Sequence, residues 1–149
     1  MIAIACDHAG IDLKPAVIEV LEELGLDYQD LGTYDHTSVD YPVYGERAAR
    51  AVASGQCEKG ILLCGTGVGI GMAASKVQGI RCVTCSEPYS ARMSRQHNDA
   101  NMLSMGARVV GSELAKDIVR VWLTTDFEGE RHARRVDMLK RLDKGESLL

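Results

Sequence analysis

The stretch Gly60-Ile61-Leu62-Leu63-Cys64-Gly65-Thr66-Gly67-Val68-Gly69-Ile70-Gly71 decides the fold. A short apolar run followed by glycine at every second position is typical of a buried strand that leads through a tight turn into a helix. The glycines let backbone N–H groups turn toward an anion, and a helix N-terminus adds positive potential there. Because that potential favours a thiolate over a thiol, the cysteine at the junction is predicted to be reactive.

Short apolar strands and amphipathic helices alternate along the whole chain. The predicted strands cover residues 2–6, 28–31, 60–64, 80–85 and 102–105, and the later helices cover residues 43–54, 89–97, 112–123 and 130–144. This alternation predicts an α/β fold, a Rossmann-like three-layer sandwich around a five-stranded parallel sheet. Since no linker, repeat or low-complexity segment interrupts the pattern, residues 1–149 are expected to form a single domain.

Composition excludes several classes of partner. The chain is 46% hydrophobic and 26% charged, and no run approaches the ~20 apolar residues that span a membrane. Its net charge of −4 argues against a nucleic-acid surface, which needs a basic field. Five cysteines without a disulfide-like framework, and a start without a leader pattern, are typical of a cytoplasmic protein.

Polar residues follow several of the predicted strands. Asp7-His8 follows the first strand, Cys64 ends the third, and Ser86-Glu87 follows the fourth. In parallel sheets ligands bind beyond the carboxyl ends of the strands, so these groups are expected on one edge. His97-Asn98-Asp99 supplies a further group that titrates near neutral pH.

Three arginines are candidates for holding an anion. Arg131 and Arg135 are four residues apart and so share one face of the predicted C-terminal helix. Two guanidinium groups on one face suit a phosphate, although a solvated helix face is the alternative. Arg108, between Gly106 and Gly111, is the third candidate.

Two other interpretations of these residues remain open at this point. The glycine spacing differs from the G-x-G-x-x-G dinucleotide fingerprint, but Glu87 lies far enough downstream to contact a ribose. Cys64 with Asp7-His8 and His97-Asn98-Asp99 contains residue types that bind zinc, although no closely spaced ligand pair supports a metal site.

A resemblance to a known family covers nearly the whole chain in order. The stretches that carry it are Cys6-Asp7-His8-Ala9-Gly10, Asp40-Tyr41-Pro42, Gly60 to Gly69, Ser86-Glu87-Pro88-Tyr89-Ser90-Ala91, Arg95-Gln96-His97-Asn98-Asp99-Ala100-Asn101, Gly106-Ala107-Arg108-Val109-Val110-Gly111 and Arg131-His132-Ala133-Arg134-Arg135. With them, the chain resembles type B ribose-5-phosphate isomerases. The resemblance implies an aldose–ketose isomerase of the pentose phosphate pathway that interconverts ribose 5-phosphate and ribulose 5-phosphate without a metal or organic cofactor.

The resemblance also implies roles for individual residues. Cys64 would be the base that carries a proton between C1 and C2 through an enediolate, and His97 would assist opening of the sugar ring. Thr66 and the backbone amides of the loop would stabilise the developing oxyanion. The amides concerned are those of Gly65, Thr66, Gly67, Val68 and Gly69. The remaining contacts to substrate would come from Asp7 for the sugar, from His8, Arg131 and Arg135 for the phosphate, and from Asn98 and Arg108.

In the family the site is shared between two subunits, so a homodimer or a tetramer is expected. The C-terminal helix would extend to a partner subunit, and His97, Asn98 and Arg108 would come from the partner. Some relatives use a glutamate six residues after the cysteine position as the base, whereas this chain has Ile70 there. Alternatives are an isomerase of a six-carbon sugar phosphate, such as allose or galactose 6-phosphate, and a phosphosugar- or nucleotide-binding module without turnover.

Overall fold

The computed structural model describes residues 1–149 and consists of one parallel sheet with helices on both faces. The strands are Ile2–Cys6 (β1), Tyr28–Asp30 (β2), Lys59–Cys64 (β3), Cys82–Thr84 (β4) and Met102–Gly106 (β5). The helices are Lys14–Glu23 (α1), Tyr41–Ala53 (α2), Val68–Ser75 (α3), Pro88–Asn98 (α4), Ser112–Thr124 (α5) and Arg131–Asp143 (α6). The α/β architecture with five parallel strands is therefore confirmed.

The order of the strands creates a crevice near the middle of the sheet. That order is β2-β1-β3-β5-β4. The chain leaves β1 toward one side to form β2, and it leaves β3 toward the other side to form β4. Ligands in such sheets bind where the connections diverge, beyond the carboxyl ends of the two strands. Here those ends are Cys6 and Cys64, on neighbouring strands.

Two apolar clusters hold the three layers together. On one face, α1 and α5 pack on the sheet through Val17, Leu21, Ile118 and Trp122, all with no exposed surface. On the other face, α2 and α3 pack through Ala48, Ala49, Ile70 and Ala74. Small residues on this second face bring α2 and α3 close to the strands and to one another.

Two elements, β4 and α2, begin at least two residues away from their predicted starts, and the other elements agree with the prediction to about one residue. Strand β4 is only three residues long, because it lies at the edge of the sheet and pairs with β5 alone. Helix α2 begins at Tyr41 instead of residue 43, since Pro42 is tolerated in the first helical turn. The second difference matters for the site, because it places Tyr41 on a helix.

The C-terminal helix α6 lies against α4 of its own chain, and its buried residues are His132 and Val136. Its expected contact with a second subunit stays a prediction. None of the helices combines the length and the apolar composition needed to cross a membrane.

Candidate active site

A cavity of about 300 Å³ opens at the crevice between β1 and β3. Seven of the predicted site residues line it together, namely Asp7, His8, Cys64, Gly65, Thr66, Gly69 and Arg108. Ala9 and Tyr41 complete the lining. Gly67 and Val68 continue the same loop into α3. The structure therefore collects the loop residues and the groups after β1 at one place.

Cys64 ends β3 and is buried, with its sulfur turned toward the loop that follows. The backbone N–H of Gly67 donates to Cys64 Sγ at 3.1 Å. Gly67 has φ of +80°, a left-handed conformation in which a side chain is strained, and a Cβ there would lie 2.8 Å from the backbone of Met105. The turn that brings an amide to the sulfur thus depends on glycine.

Several amides of the loop have no acceptor within the chain. The N–H groups of Gly65, Thr66 and Gly69 donate to no backbone or side-chain atom, whereas Val68 N–H donates to Thr66 Oγ1 at 3.3 Å. They lie at the N-terminus of α3, where the helix dipole adds positive potential. Beside the thiol, such unpaired donors suit an oxygen that gains negative charge during a reaction.

Asp7 and His8 are held in place by backbone amides. Asp7 Oδ1 accepts from the N–H groups of Ala9 and Gly10, both at 2.9 Å, so the carboxylate is fixed while Oδ2 stays free. His8 Nδ1 accepts from Val39 N–H at 3.1 Å. Because that nitrogen is an acceptor, the ring hydrogen of neutral His8 resides on Nε2, which makes this atom a donor.

Arg108 supplies the positive charge of the cavity. Its Nη1 lies 3.3 Å from the position that a Cβ on Gly65 would take, and the guanidinium forms no ion pair with the chain. The resemblance implied that Arg108 would come from a partner. The structure instead places it beside the glycine loop of its own chain, because the turn after β5 runs next to the end of β3.

The other predicted groups lie at the opposite edge of the sheet. Helix α4 leaves the carboxyl end of β4 and returns the chain to the start of β5, so His97 and Asn98 lie at the amino edge. Arg81, which precedes β4, confirms this location by donating to the carbonyl of Asn98 at 3.1 Å. One chain therefore does not bring His97 or Asn98 to Cys64.

A second cluster of functional groups forms at that edge. The imidazole rings of His97 and His132 stack with centroids 4.2 Å apart and planes 10° apart. Burial and the stacked His97 ring lower the pKa of His132, and the nearby cations of Arg131 and Arg135 lower it further; neither arginine forms an ion pair. His132 is a member that sequence reasoning did not single out, although it stands between these arginines in the chain.

The sequence is similar to known sugar-phosphate isomerases along nearly its whole length. The family model described as "Ribose/Galactose Isomerase" matches residues 2–139. The chain belongs to the ribose/galactose isomerase family. "Ribose-5-phosphate isomerase B" of Escherichia coli (strain K12) is 52% identical over 143 residues, which are 96% of both chains. "D-erythrulose-4-phosphate isomerase" of Pectobacterium atrosepticum is 43% identical over 93% of this chain and 91% of that one.

A solved structure shows the same likeness in three dimensions. Ribose-5-phosphate isomerase B of Clostridium thermocellum superimposes with a TM-score of 0.94 at 50% identity, covering 98% of this chain and 99% of that one. The chain is thus an isomerase with the fold of its family, as the sequence predicted.

Neither alternative interpretation of the site residues fits the geometry of this family member. The carboxylate of Glu87 caps α4 by accepting from Ser90 N–H at 2.8 and 3.0 Å and does not line the cavity. Glu87 follows β4 at the carboxyl edge of the sheet, as expected, but the cavity forms between β1 and β3 and not at this edge strand, so the predicted contact of Glu87 with a bound ribose is not supported. The proposed metal set of Cys64 with His97 is wrong within one chain, since the two residues lie at opposite edges.

A different group, His97, Glu128 and His132, has potential ligand atoms within 4.8 Å of one another. The imidazole nitrogen lone pairs lie in the ring planes, and the two planes here are nearly parallel. One ion cannot lie in both planes at once, so these rings do not form a chelating pair in this arrangement.

Cys64 is the one cysteine that lines the cavity, and the other four lie outside it. Burial raises the pKa of Cys82 to about 12 and that of Cys85 to about 11. Burial also raises the pKa of Cys6 and of Cys57. These four thiols stay protonated at neutral pH, so they are poor nucleophiles.

We therefore expect iodoacetamide at pH 7.5 to alkylate Cys64 before the other cysteines. Peptide mass spectrometry after limited labelling measures which thiol reacts, and loss of activity should follow labelling of Cys64 alone. The Cys64→Ser variant serves as the control and should take up no label over the same period. Equal labelling of Cys82 or Cys85 would contradict the expectation.

The stability of the protein is expected to fall below neutral pH because of His132. Burial, His97 and Arg131 together lower the pKa of His132 in the folded state. The unfolded chain then binds more protons than the folded one, so this contribution is complete above the ordinary histidine pKa and is lost as pH falls through the lowered value. Thermal unfolding between pH 8 and pH 5 should show a steeper loss of Tm for the wild type than for His132→Gln. Parallel curves for the two proteins would show that His132 does not carry the effect.

Proposed function

We propose that this chain interconverts ribose 5-phosphate and ribulose 5-phosphate by proton transfer, in one domain spanning residues 1–149. The observation that carries the proposal is the arrangement around Cys64. Its sulfur accepts from Gly67 N–H, and the unpaired amides of Gly65, Thr66 and Gly69 lie in the same loop. A base beside a set of fixed donors is what an enediolate intermediate requires.

In the proposed reaction the Cys64 thiolate removes the proton from C2 of the open-chain aldose. The electron pair of that C–H bond forms the C1–C2 double bond, and the carbonyl oxygen O1 takes up negative charge that the loop amides stabilise. The thiol then returns the proton to C1, and a proton passes from O2 to O1, which yields the ketose. Asp7 Oδ2, free of any partner in the chain, is placed to bind a sugar hydroxyl.

The remaining groups are proposed to come from a second copy of the chain. His97 would open the furanose ring by moving a proton between the anomeric hydroxyl and the ring oxygen, with Asn98 nearby. Arg131 and Arg135 would bind the phosphate together with His8, whose Nε2 is a donor. Arg108 adds a cation from the subunit that supplies Cys64.

The separation of the two clusters supports this division. A five-residue strand spans about 16 Å, so the two edges of the sheet are too far apart for one sugar phosphate to contact both. Arg108, Arg131 and Arg135 have no carboxylate partner in the chain. Guanidinium groups that lack such a partner are expected where an anion binds. Val68 and Met72 on α3 are exposed, at 45% and 64%, beside the edge strand β4, and we propose that the second copy covers them.

A six-carbon sugar phosphate is the second candidate substrate, because the family description includes galactose. The alternative of a phosphosugar-binding module without turnover does not agree with membership of an isomerase family, and the buried cysteine held by an amide also favours chemistry over binding alone. The substrate is expected to be free in the cytoplasm, where the pentose phosphate pathway is expected to operate.

The test is an isomerase assay over four-, five- and six-carbon aldose phosphates with EDTA present. The proposal expects turnover of ribose 5-phosphate with the highest kcat/KM of the series and no effect of the chelator. Activity confined to a six-carbon substrate, or dependent on a metal, would contradict it. Analytical ultracentrifugation of the same sample gives the molecular mass in solution and so tests whether the chain forms the proposed homodimer.

A further inference from the structure

We propose that Asp99 is a positioning residue that holds His97 in place for opening of the sugar ring, an inference that rests on the proposed function. Asp99 caps the C-terminus of α4, two residues after His97. Its carboxylate forms ion pairs with two guanidinium groups, those of Arg81 and Arg95. The roles proposed above use none of these three charged residues.

The backbone of Asp99 has a conformation that is rare for a residue with a side chain. Its φ is +46° and its ψ is +44°, which is the left-handed region. Glycine is the usual residue at the end of a helix in this conformation, and aspartate is one of the few others that adopt it. The presence of a carboxylate where glycine would fit without strain indicates that the side chain has a task.

The Asp99 carboxylate bridges two segments that are separate in the chain. Arg95 Nη1 donates to Oδ1 at 2.9 Å, and Arg81 Nη2 donates to Oδ2 at 3.1 Å. Arg95 belongs to α4 itself, whereas Arg81 directly precedes β4. Because hydrogen bonds between charged groups are stronger than neutral ones, this bridge fixes the end of α4 against the start of β4.

The same two arginines also bind the backbone that follows His97. Arg95 is buried, and its Nη1 donates to the carbonyl of Ala100 at 2.6 Å. Arg81 Nε donates to the carbonyl of Asn98 at 3.1 Å. The last carbonyls of a helix have no partner within the helix, so these contacts satisfy them. The turn after α4 is therefore held by side chains that the carboxylate in turn holds.

The imidazole of His97 has few constraints of its own. Its ring stacks on that of His132 and forms no hydrogen bond to another side chain. A stack fixes the plane of a ring but allows the ring to slide and turn within that plane. The remaining constraint on His97 must come from the backbone that carries it, and Asp99 anchors this backbone.

The proposed role of His97 requires accurate placement. In ring opening the C1–O4 bond breaks, the hydroxyl on C1 gives up its proton to become the aldehyde, and O4 gains a proton. His97 must come within hydrogen-bond reach of both oxygens to move that proton. A displacement of about 1 Å can cost about 10²-fold in rate, so loss of the Asp99 bridge should slow this step.

The test is a double-mutant cycle on kcat/KM for ribose 5-phosphate with the wild type, Asp99→Gly, His97→Gln and the double variant. Glycine accepts the left-handed conformation, so Asp99→Gly removes the carboxylate without straining the backbone. The inference expects Asp99→Gly to lower kcat/KM by about 10–100-fold. In the His97→Gln background the same change should have no further effect beyond about twofold, because Asp99 acts through His97.

Asp143→Asn is the matched control. Asp143 ends α6, and its carboxylate also binds the amino edge of the sheet, where it accepts from Gly79 N–H at 2.6 Å. It makes no contact with the turn after α4. Its variant should keep the wild-type kcat/KM.

The outcomes separate this inference from the proposed function. If the losses from Asp99→Gly and His97→Gln multiply in the double variant, or if Asp99→Gly is fully active, the inference is wrong. If Asp99→Gly does not fold, as shown by its Tm, Asp99→Asn removes the charge, keeps the shape and enters the same cycle with the same expectation. Full activity of His97→Gln overturns the inference but leaves an isomerase, whereas a wild type inactive on ribose 5-phosphate contradicts the proposed function and the inference with it.

Discussion

Replacing Cys64 with alanine is expected to lower kcat for ribose 5-phosphate by about 10²–10⁴-fold, the range for removal of an acid–base group. The variant loses the atom that carries the proton, while the loop amides, Asp7 and the phosphate-binding groups remain. KM is therefore expected to change little, since the lost interaction acts on the transition state. Steady-state kinetics give the two constants, and calorimetry with ribose 5-phosphate gives Kd for the inactive variant.

Cys57→Ser is the matched control for Cys64→Ala. Cys57 is also buried, but it precedes β3 at the amino edge of the sheet and contacts Gln29. Its replacement should leave kcat and KM at wild-type values even if Tm falls. Full activity in Cys64→Ala would mean that another group is the base.

Mixing two inactive variants is expected to restore activity. Arg131→Ala removes a charge-assisted contact to the phosphate and should raise KM strongly, and the double variant Arg131→Ala with Arg135→Ala should be inactive at ordinary substrate concentrations. If each site takes Cys64 from one copy and the arginines from the other, a mixed dimer with Cys64→Ala has one intact site. Random exchange of subunits then recovers about one quarter of the wild-type activity.

Arg134→Ala is the control for charge on the same helix. Arg134 is exposed, forms no ion pair with the chain and lies off the face shared by Arg131 and Arg135. Its variant should keep the wild-type KM, and nothing in the structure assigns it a role. No recovery of activity in the mixed sample, with exchange confirmed by mass spectrometry, would show that each chain builds its own site.

The part of the site that sequence analysis predicted well is local in the chain. The loop from Cys64 to Gly69 needs only a strand, a left-handed glycine and a helix N-terminus, and each of these leaves a pattern in neighbouring residues. Asp7 joins it because β1 and β3 are adjacent parallel strands whose carboxyl ends coincide. In parallel sheets, ligand-binding groups gather beyond the carboxyl ends of adjacent strands. This rule predicts that Asp7 lies near the loop even when no side-chain contact is known.

The part that was missed depends on packing between distant segments. The stack of His97 on His132 requires α6 to fold back onto α4, and no periodicity in either helix indicates this. Tyr41 was predicted to lie in a loop, because Pro42 obscured the true start of α2. Its position over Gly69 follows from the close approach of two helices, which the glycines permit but do not by themselves predict.

The opposite positions of Cys64 and the His97 cluster have a consequence for how the enzyme is measured. If two copies share the site as proposed, a chain that is alone in solution carries two incomplete halves and turns over nothing, so the rate per chain depends on how many chains are paired. Dilution below the dissociation constant of the pair should reduce specific activity, and substrate that bridges two copies should restore it. Assays at nanomolar enzyme would then report self-association as much as chemistry.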